Sequence, residues 1–263
     1  EVLKKITKKT KAVVAVDYAG QPCDYDSLKD ICSKHGLLLI SDACHSIGGG
    51  YRDSKVGTLA DMTALSFHPV KHITTGEGGM ILTDNADFAA KMRMFRGHGI
   101  TTDYRQREEK GAWFYEMEYL GYNYRITDFQ CALGISQLKK LPAWIKRRQE
   151  IAAEYDNAFK NNHSIISIKR SPSVSHAYHL YVVKLEKADR NRIFTELRNA
   201  GIGVNVHYIP VHLHPYYRKT FGTGEGMCPV AEDAFRKIIS LPMFPGLKDE
   251  ELKSVIETVM GLL

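Results

Sequence analysis

The segment GLLLISDA, residues 36–43, constrains the fold of this chain more than any other. It is a continuous apolar run, from Leu37 to Ile40, that ends in Ser41 and Asp42. A run of this kind, without polar alternation, is the pattern of a strand buried on both faces of a parallel sheet. Just before it, DYDSLKDICSKH (24–35) sets Leu28, Ile31 and Cys32 at helical spacing behind an Asp24 or Asp26 cap, and Gly36 stops the helix. Earlier still, KAVVAVD (11–17) is a second apolar run ending in a polar residue. The opening therefore reads strand, helix, strand, which is the unit of a layered α/β fold.

The same alternation continues. MTALSF (62–67) reads as a strand, HPVKHITTGEGG as a loop, MILTD (80–84) as a strand returning to the sheet, and NADFAAKMRMFRGHG (85–99) as a helix with Phe88, Met92 and Phe95 on one stripe. Residues 100–119 are polar and aromatic without a period and read as a long connection. Two helices follow, from Thr127 to Pro142 and from Ala143 to Lys160. The remainder reads as strands at 164–168, 178–185 and 203–208 and helices at 189–201, 229–238 and 247–263, an antiparallel sheet covered by helices on one face. The pattern predicts a large α/β domain over residues 1–135, and linking helices with a small C-terminal α/β domain over 136–263.

Composition excludes several function classes. With 44% hydrophobic and 25% charged residues the chain is ordinary for a globular protein, and no run approaches a membrane span. The start, EVLKKITKKT, has no apolar signal core, so the expected location is the cytoplasm, with no membrane partner. Five scattered cysteines form no CxxC pair and are expected to be reduced thiols with no metal role. The net charge of +6 is spread along the chain, which favours anionic small molecules over nucleic acid.

Two segments bear chemistry. Asp42 follows a buried strand directly, at the carboxyl end where open α/β sheets hold ligands. It is open to two readings: a carboxylate facing a cationic ligand group, or the cap of a turn. Lys71, in Ser66-Phe67-His68-Pro69-Val70-Lys71, follows the next strand, 29 residues after Asp42. A lysine in a desolvated pocket loses its proton more readily and attacks carbonyl carbon, whereas the plain alternative is a surface lysine. The glycine-rich GEGG (76–79) matches neither a P-loop nor a dinucleotide fingerprint.

The ordered motifs SDACHSIGG (41–49), SFHPVKHITTGEGGMILT (66–83) and GYNYRITDFQCALGISQLKKL (121–141) resemble those of the DegT/DnrJ/EryC1/StrS aminotransferases, a family of fold type I pyridoxal phosphate enzymes. The resemblance implies that Lys71 forms the Schiff base with pyridoxal 5'-phosphate and later carries a proton, that Asp42 pairs with the pyridine nitrogen, and that His45 sits near the cofactor's 3-oxygen. It further implies that Ser66 contacts the cofactor phosphate and that Asn123 reaches the phosphate in a partner subunit's site, which makes the enzyme a homodimer. VHYIPVHLHPYYRKTFG (206–222), PVAEDAF and ISLPMFP are most similar to the pseudaminic-acid branch of the family. That implies transfer of an amino group from L-glutamate to C4 of a UDP-linked 4-keto-6-deoxy-N-acetylhexosamine, with His68, His207, Tyr208, His212 and Tyr216 as substrate-binding candidates.

Two alternatives accompany this expectation. One is another nucleotide-sugar aminotransferase acting at a 3- or 4-keto position; the related dehydratases carry histidine in place of the lysine, and Lys71 argues against them. The other is an inactive remnant, because the family pattern has a serine-glycine-threonine turn and a ring-stacking aromatic upstream of where this chain begins. On that reading the large domain is N-terminally incomplete.

Overall fold

The computed structural model describes residues 1–102 and 104–263. The chain divides into two compact units, one made of Glu1–Tyr18 and Pro22–Leu141, the other of Ala19–Gln21 and Pro142–Leu263.

In the first unit, β1 (Ala12–Val16), β2 (Leu38–Asp42), β3 (Met62–Ser66) and β4 (Gly79–Leu82) form a four-stranded sheet in that order. β1, β2 and β3 are parallel and β4 returns antiparallel to β3. Helix α1 (Tyr25–His35) crosses from β1 to β2. It starts where the Asp24 carboxylate accepts the Ser27 N–H and ends at Gly36, whose φ of 63° is a left-handed conformation that glycine adopts without Cβ strain. The expectation of burial on both faces holds on one face only. Leu39 and Ser41 are 2% and 1% exposed, while Leu38 and, on β1, Val14 and Val16 stand open.

Helix α2 (Ala86–Arg96) follows β4, capped by Asn85, and none of its residues is buried. Its predicted apolar stripe is thus not a core stripe. Phe95 instead meets Tyr122 and Tyr124 edge-on, at centroid distances of 5.1 and 6.3 Å. Among the described residues, the connection after it includes a short helix, Tyr104–Glu109.

Helix α3 (Asp128–Phe159) is a single helix of 32 residues with Pro142 inside it, where the sequence predicted two helices meeting at that proline. Leu141 ends the first unit and Pro142 opens the second. Proline costs the helix one hydrogen bond. Buried residues at helical spacing on both sides, Leu141, Ile145, Ile151, Tyr155 and Phe159, supply the packing that carries the helix through.

The second unit holds an antiparallel sheet in the order β7 (Ile238–Leu241), β6 (Tyr181–Leu185), β5 (Ile165–Ser167). Helices α4 (Arg190–Asn199), α5 (Pro215–Phe221), α6 (Pro229–Lys237) and α7 (Asp249–Leu262) complete it. Its core gathers Ile151 and Tyr155 of α3, Val183 of β6, Ile193 and Leu197 of α4, Ile239 of β7 and Val259 of α7. The predicted strand at 203–208 shrinks to one bridge between Asn205 and Ser240. The strand the sequence reading missed is β7: only its first residue, Ile238, fell inside the predicted helix 229–238, and residues 239–241 were given no element. All four of its residues are buried, and pairing with β6 overrides the local helical pattern at Ile238.

Candidate active site

The carboxyl ends of β1, β2 and β3 lie side by side, because the register sets Val16 opposite Asp42 and Asp42 opposite Ala64. β2 delivers Asp42 half-buried at this edge, and a tight turn follows. The Cys44 N–H donates to Asp42 Oδ1 at 3.2 Å, the Ala43 N–H to the Ala64 carbonyl at 2.9 Å, and the Ser46 N–H to the Ala43 carbonyl at 3.0 Å. This turn buries His45 and Ser46.

β3 ends in Ser66, and the chain then forms a loop closed at its neck. The Phe67 N–H donates to the Gly78 carbonyl, and the Phe67 carbonyl accepts the Thr75 N–H and the Thr74 hydroxyl. Lys71 sits inside this loop, half-buried, its N–H bound to the His68 carbonyl at 3.0 Å. Two glutamines of α3 pin the loop from outside. Gln137 Oε1 accepts the Thr74 N–H at 3.2 Å, and Gln130 Nε2 donates to the Glu77 carbonyl at 2.9 Å. They lie seven residues apart, two turns along one helix face, a spacing legible in the sequence but not used there.

The loop and the turn meet electrostatically. Burial pushes the Lys71 amine below the ordinary lysine pKa, while the Asp42 carboxylate pulls it back up. Burial, then the Asp42 carboxylate, pushes the Cys44 thiol up to about 12, so it stays a neutral thiol. The structure therefore brings Asp42 and Lys71 into one site, with Cys44 as a neighbour that sequence reasoning left without a role.

Ser66 ends β3 opposite Gly79 and accepts the His68 N–H at 3.4 Å. His68 is exposed; its Nδ1 accepts the Val70 N–H and its Nε2 lies 3.8 Å from the Glu77 carboxylate. Asn123 is exposed, in a bridge with Gly97 at the end of α2. Gly99 and Gly121 permit that pairing, since a Cβ on Gly121 would lie 2.1 Å from the Gly99 nitrogen.

The remaining candidates lie in the second unit. His207 Nδ1 is 2.8 Å from the Ser240 hydroxyl, and the neighbouring Tyr208 is half exposed. His212 has a partner inside the chain, with Nε2 2.8 Å from Glu232 Oε1. Glu232 also accepts the N–H groups of Gly226 and Cys228, and these bonds, Gly226 first, hold its pKa at about 2. Tyr216 is exposed and packs edge-on against Tyr217 and Phe221.

A lysine biased toward its neutral form beside an aspartate, with a buried histidine on the adjoining turn, is a donor set suited to an aldehyde ligand that carries a basic ring nitrogen and a phenolic oxygen. Pyridoxal phosphate has these groups, and the residues fit it.

Comparison with known proteins agrees. The model of the DegT/DnrJ/EryC1/StrS aminotransferase family matches residues 1–260. The chain is similar to the spore coat polysaccharide biosynthesis protein SpsC of Bacillus subtilis, at 38% identity over 98% of this chain and 68% of that protein. It is 36% identical to the UDP-4-amino-4,6-dideoxy-N-acetyl-beta-L-altrosamine transaminase of Campylobacter jejuni, over 99% of this chain and 68% of that one. Among solved structures, the putative sugar aminotransferase Spr1654 of Streptococcus pneumoniae in its PLP form superposes with a TM-score of 0.90 at 31% identity, covering 100% of this chain and 71% of that one.

Proposed function

Because the chain belongs to the DegT/DnrJ/EryC1/StrS aminotransferase family, pyridoxal phosphate-dependent enzymes of fold type I, we propose that Lys71 is the residue that engages the cofactor covalently. The reaction we assign is transfer of an amino group from L-glutamate to C4 of a UDP-linked 4-keto-6-deoxy-N-acetylhexosamine, in pseudaminic-acid or related nucleotide-sugar biosynthesis. The observation that carries the reading is the joint site of Asp42 and Lys71 at the carboxyl edge of a parallel sheet.

When bound, the cofactor supplies an electron sink that acidifies the carbon bearing the amino group. The chain's own residues do the rest. The half-buried amine of Lys71, biased toward neutrality, is a nucleophile and, once released, a base that moves a proton to and from the substrate carbon. With pyridoxal phosphate bound, Asp42 would hold positive charge on the ring nitrogen, His45 would serve the 3-oxygen, and Ser66 would hold the phosphate. His68, His207, Tyr208, His212 and Tyr216 are assigned to the sugar-nucleotide side.

Asn123 is assigned to the phosphate of a second copy's site, which makes the enzyme a homodimer. An exposed apolar surface supports this: Trp113 is 84% and Phe129 90% exposed, with Leu120 and Tyr124 open nearby in sequence. A cytoplasmic location is in keeping with five free cysteines, and no helix among the described residues is long and apolar enough to cross a membrane.

Substituting Lys71→Ala should lower turnover by about 10⁴-fold and abolish the phosphopyridoxyl mass that borohydride leaves on the peptide containing residue 71. A variant that retained turnover would defeat the assignment. Offering a panel of UDP- and dTDP-linked ketosugars with glutamate tests the substrate, and turnover of dTDP-linked sugars alone would defeat that part of the reading.

A further inference from the structure

The same sheet edge contains a buried polar cluster with no role in the foregoing chemistry. Asp17 follows β1 directly and is fully buried. Its Oδ1 accepts the Cys23 N–H at 3.0 Å and the Tyr25 O–H at 2.8 Å, and its Oδ2 accepts the Ser46 O–H at 2.6 Å. With its only proton given to Asp17, the Tyr25 oxygen accepts from the Ser41 hydroxyl. The Asp17 N–H donates to the Asp42 carbonyl at 3.0 Å.

One carboxylate thus grips the 41–46 turn at both ends: at Ser46 directly, and at Ser41 through Tyr25. Between those two points lie Asp42, Cys44 and His45. A buried polar network in which each member is satisfied fixes one geometry, whereas an apolar filling of the same volume would bury the edge without aiming anything. The grip is also tighter than the turn needs for its own closure, which the Ser46 and Ala43 backbone bond already provides.

We propose that Asp17 is a positioning residue for the cofactor pocket: through Ser46 and the Tyr25–Ser41 relay it fixes the turn that presents Asp42 and His45. The proposal rests on the assignment of Lys71, Asp42 and His45 to pyridoxal phosphate. Asp17 is fully buried and acts through these partners, and displacing a supporting group by about 1 Å is enough to cost a site roughly 100-fold.

The test uses Asp17→Asn, which cannot accept all three donors, and Ser46→Ala, which deletes one hydroxyl and keeps the proposal decidable if the first variant fails to fold. Both should raise the dissociation constant for pyridoxal phosphate about tenfold. In the cofactor-free protein both should speed amide exchange at Cys44–Ser46 about tenfold, with exchange in β6 unchanged. Ser46→Thr, which restores the hydroxyl, should recover wild-type affinity. Variants with a lower melting temperature but wild-type cofactor affinity and wild-type exchange at 44–46 would overturn the proposal. Absence of a borohydride-trapped mass on Lys71 in the wild type would instead overturn the Lys71 assignment, and the exchange data, taken without cofactor, would still decide whether Asp17 fixes the turn.

Discussion

Helices α2 and α4 begin by the same device and end differently. Asn85 accepts the Phe88 N–H at 3.0 Å to start α2, and Asp189 accepts the Arg192 N–H at 2.6 Å to start α4. Yet α2 buries none of its 11 residues, while α4, with 10, buries Ile193 and Leu197 completely. A cap sets where a helix starts; the surface it meets sets how much it contributes. The contrast extends to the units themselves. The second is cored by interlocking aliphatic and aromatic side chains, whereas the site end of the first is held by hydrogen bonds to Asp17, Phe67, Gln130 and Gln137.

The largest effect expected from that contrast is on stability. Leu197→Ala should lower the free energy of unfolding by about 3 kcal/mol, because it opens a cavity in a closed core. Phe95→Ala on α2, at a residue 48% exposed in the isolated chain, should cost under about 1 kcal/mol. Denaturant titration of the monomeric form measures both. Equal losses would break the comparison.

Much of this division was legible in the sequence. Asp42 and Lys71 were found because apolar runs marked the strands that precede them, and a strand's end is a place a reader can locate. The antiparallel sheet of the second unit was also anticipated, though not β7, whose four buried residues adjoin a helical pattern and reveal themselves only by pairing with β6. Asp17 escaped for another reason. Its three partners are 6, 8 and 29 residues away, and nothing in the local pattern of KAVVAVD distinguishes a network acceptor from a polar residue that merely ends a strand. The open side of β1 and the unburied face of α2 could not be read either, since an apolar stripe states a preference for cover and not what supplies it.

Two carboxylates sharpen the comparison through pH. Glu232, in the second unit, has its pKa held at about 2 against an ordinary 4.5 by the Gly226 N–H, His212 and the Cys228 N–H. A depressed acid stabilises the folded state above its unfolded pKa and loses that contribution as pH falls from 4.5 through 2. Asp17, in the first unit, is shifted the other way: burial raises its pKa above 3.8 and outweighs the three donors. Its ionisation therefore costs stability as pH rises through that raised value. Glu232→Gln should flatten the acid limb of the stability curve between pH 5 and 2, and Asp17→Asn should leave that limb at least as steep. Equilibrium unfolding across that range by circular dichroism reads both, and a wild-type acid limb in Glu232→Gln would remove Glu232 from the account.

The smallest effect lies beside the Asp17 network. Thr63 of β3 is opposite Ser41 in the sheet register and fully buried, and its hydroxyl has no hydrogen-bond partner among the described residues. Ser41 turns its own hydroxyl to Tyr25, so the neighbouring strand offers Thr63 nothing. A buried hydroxyl left unpaired costs the folded state its desolvation, and Thr63→Val keeps the β-branched shape while removing that cost. The variant should gain up to about 1 kcal/mol, seen as a rise in melting temperature with cofactor affinity unchanged. Because the substitution leaves Asp17, Tyr25, Ser41 and Ser46 as they are, it separates stability from positioning at the same sheet edge: a more stable protein with wild-type affinity would confirm that the turn's geometry is set by the Asp17 side of the network, and a loss of affinity would assign part of it to β3.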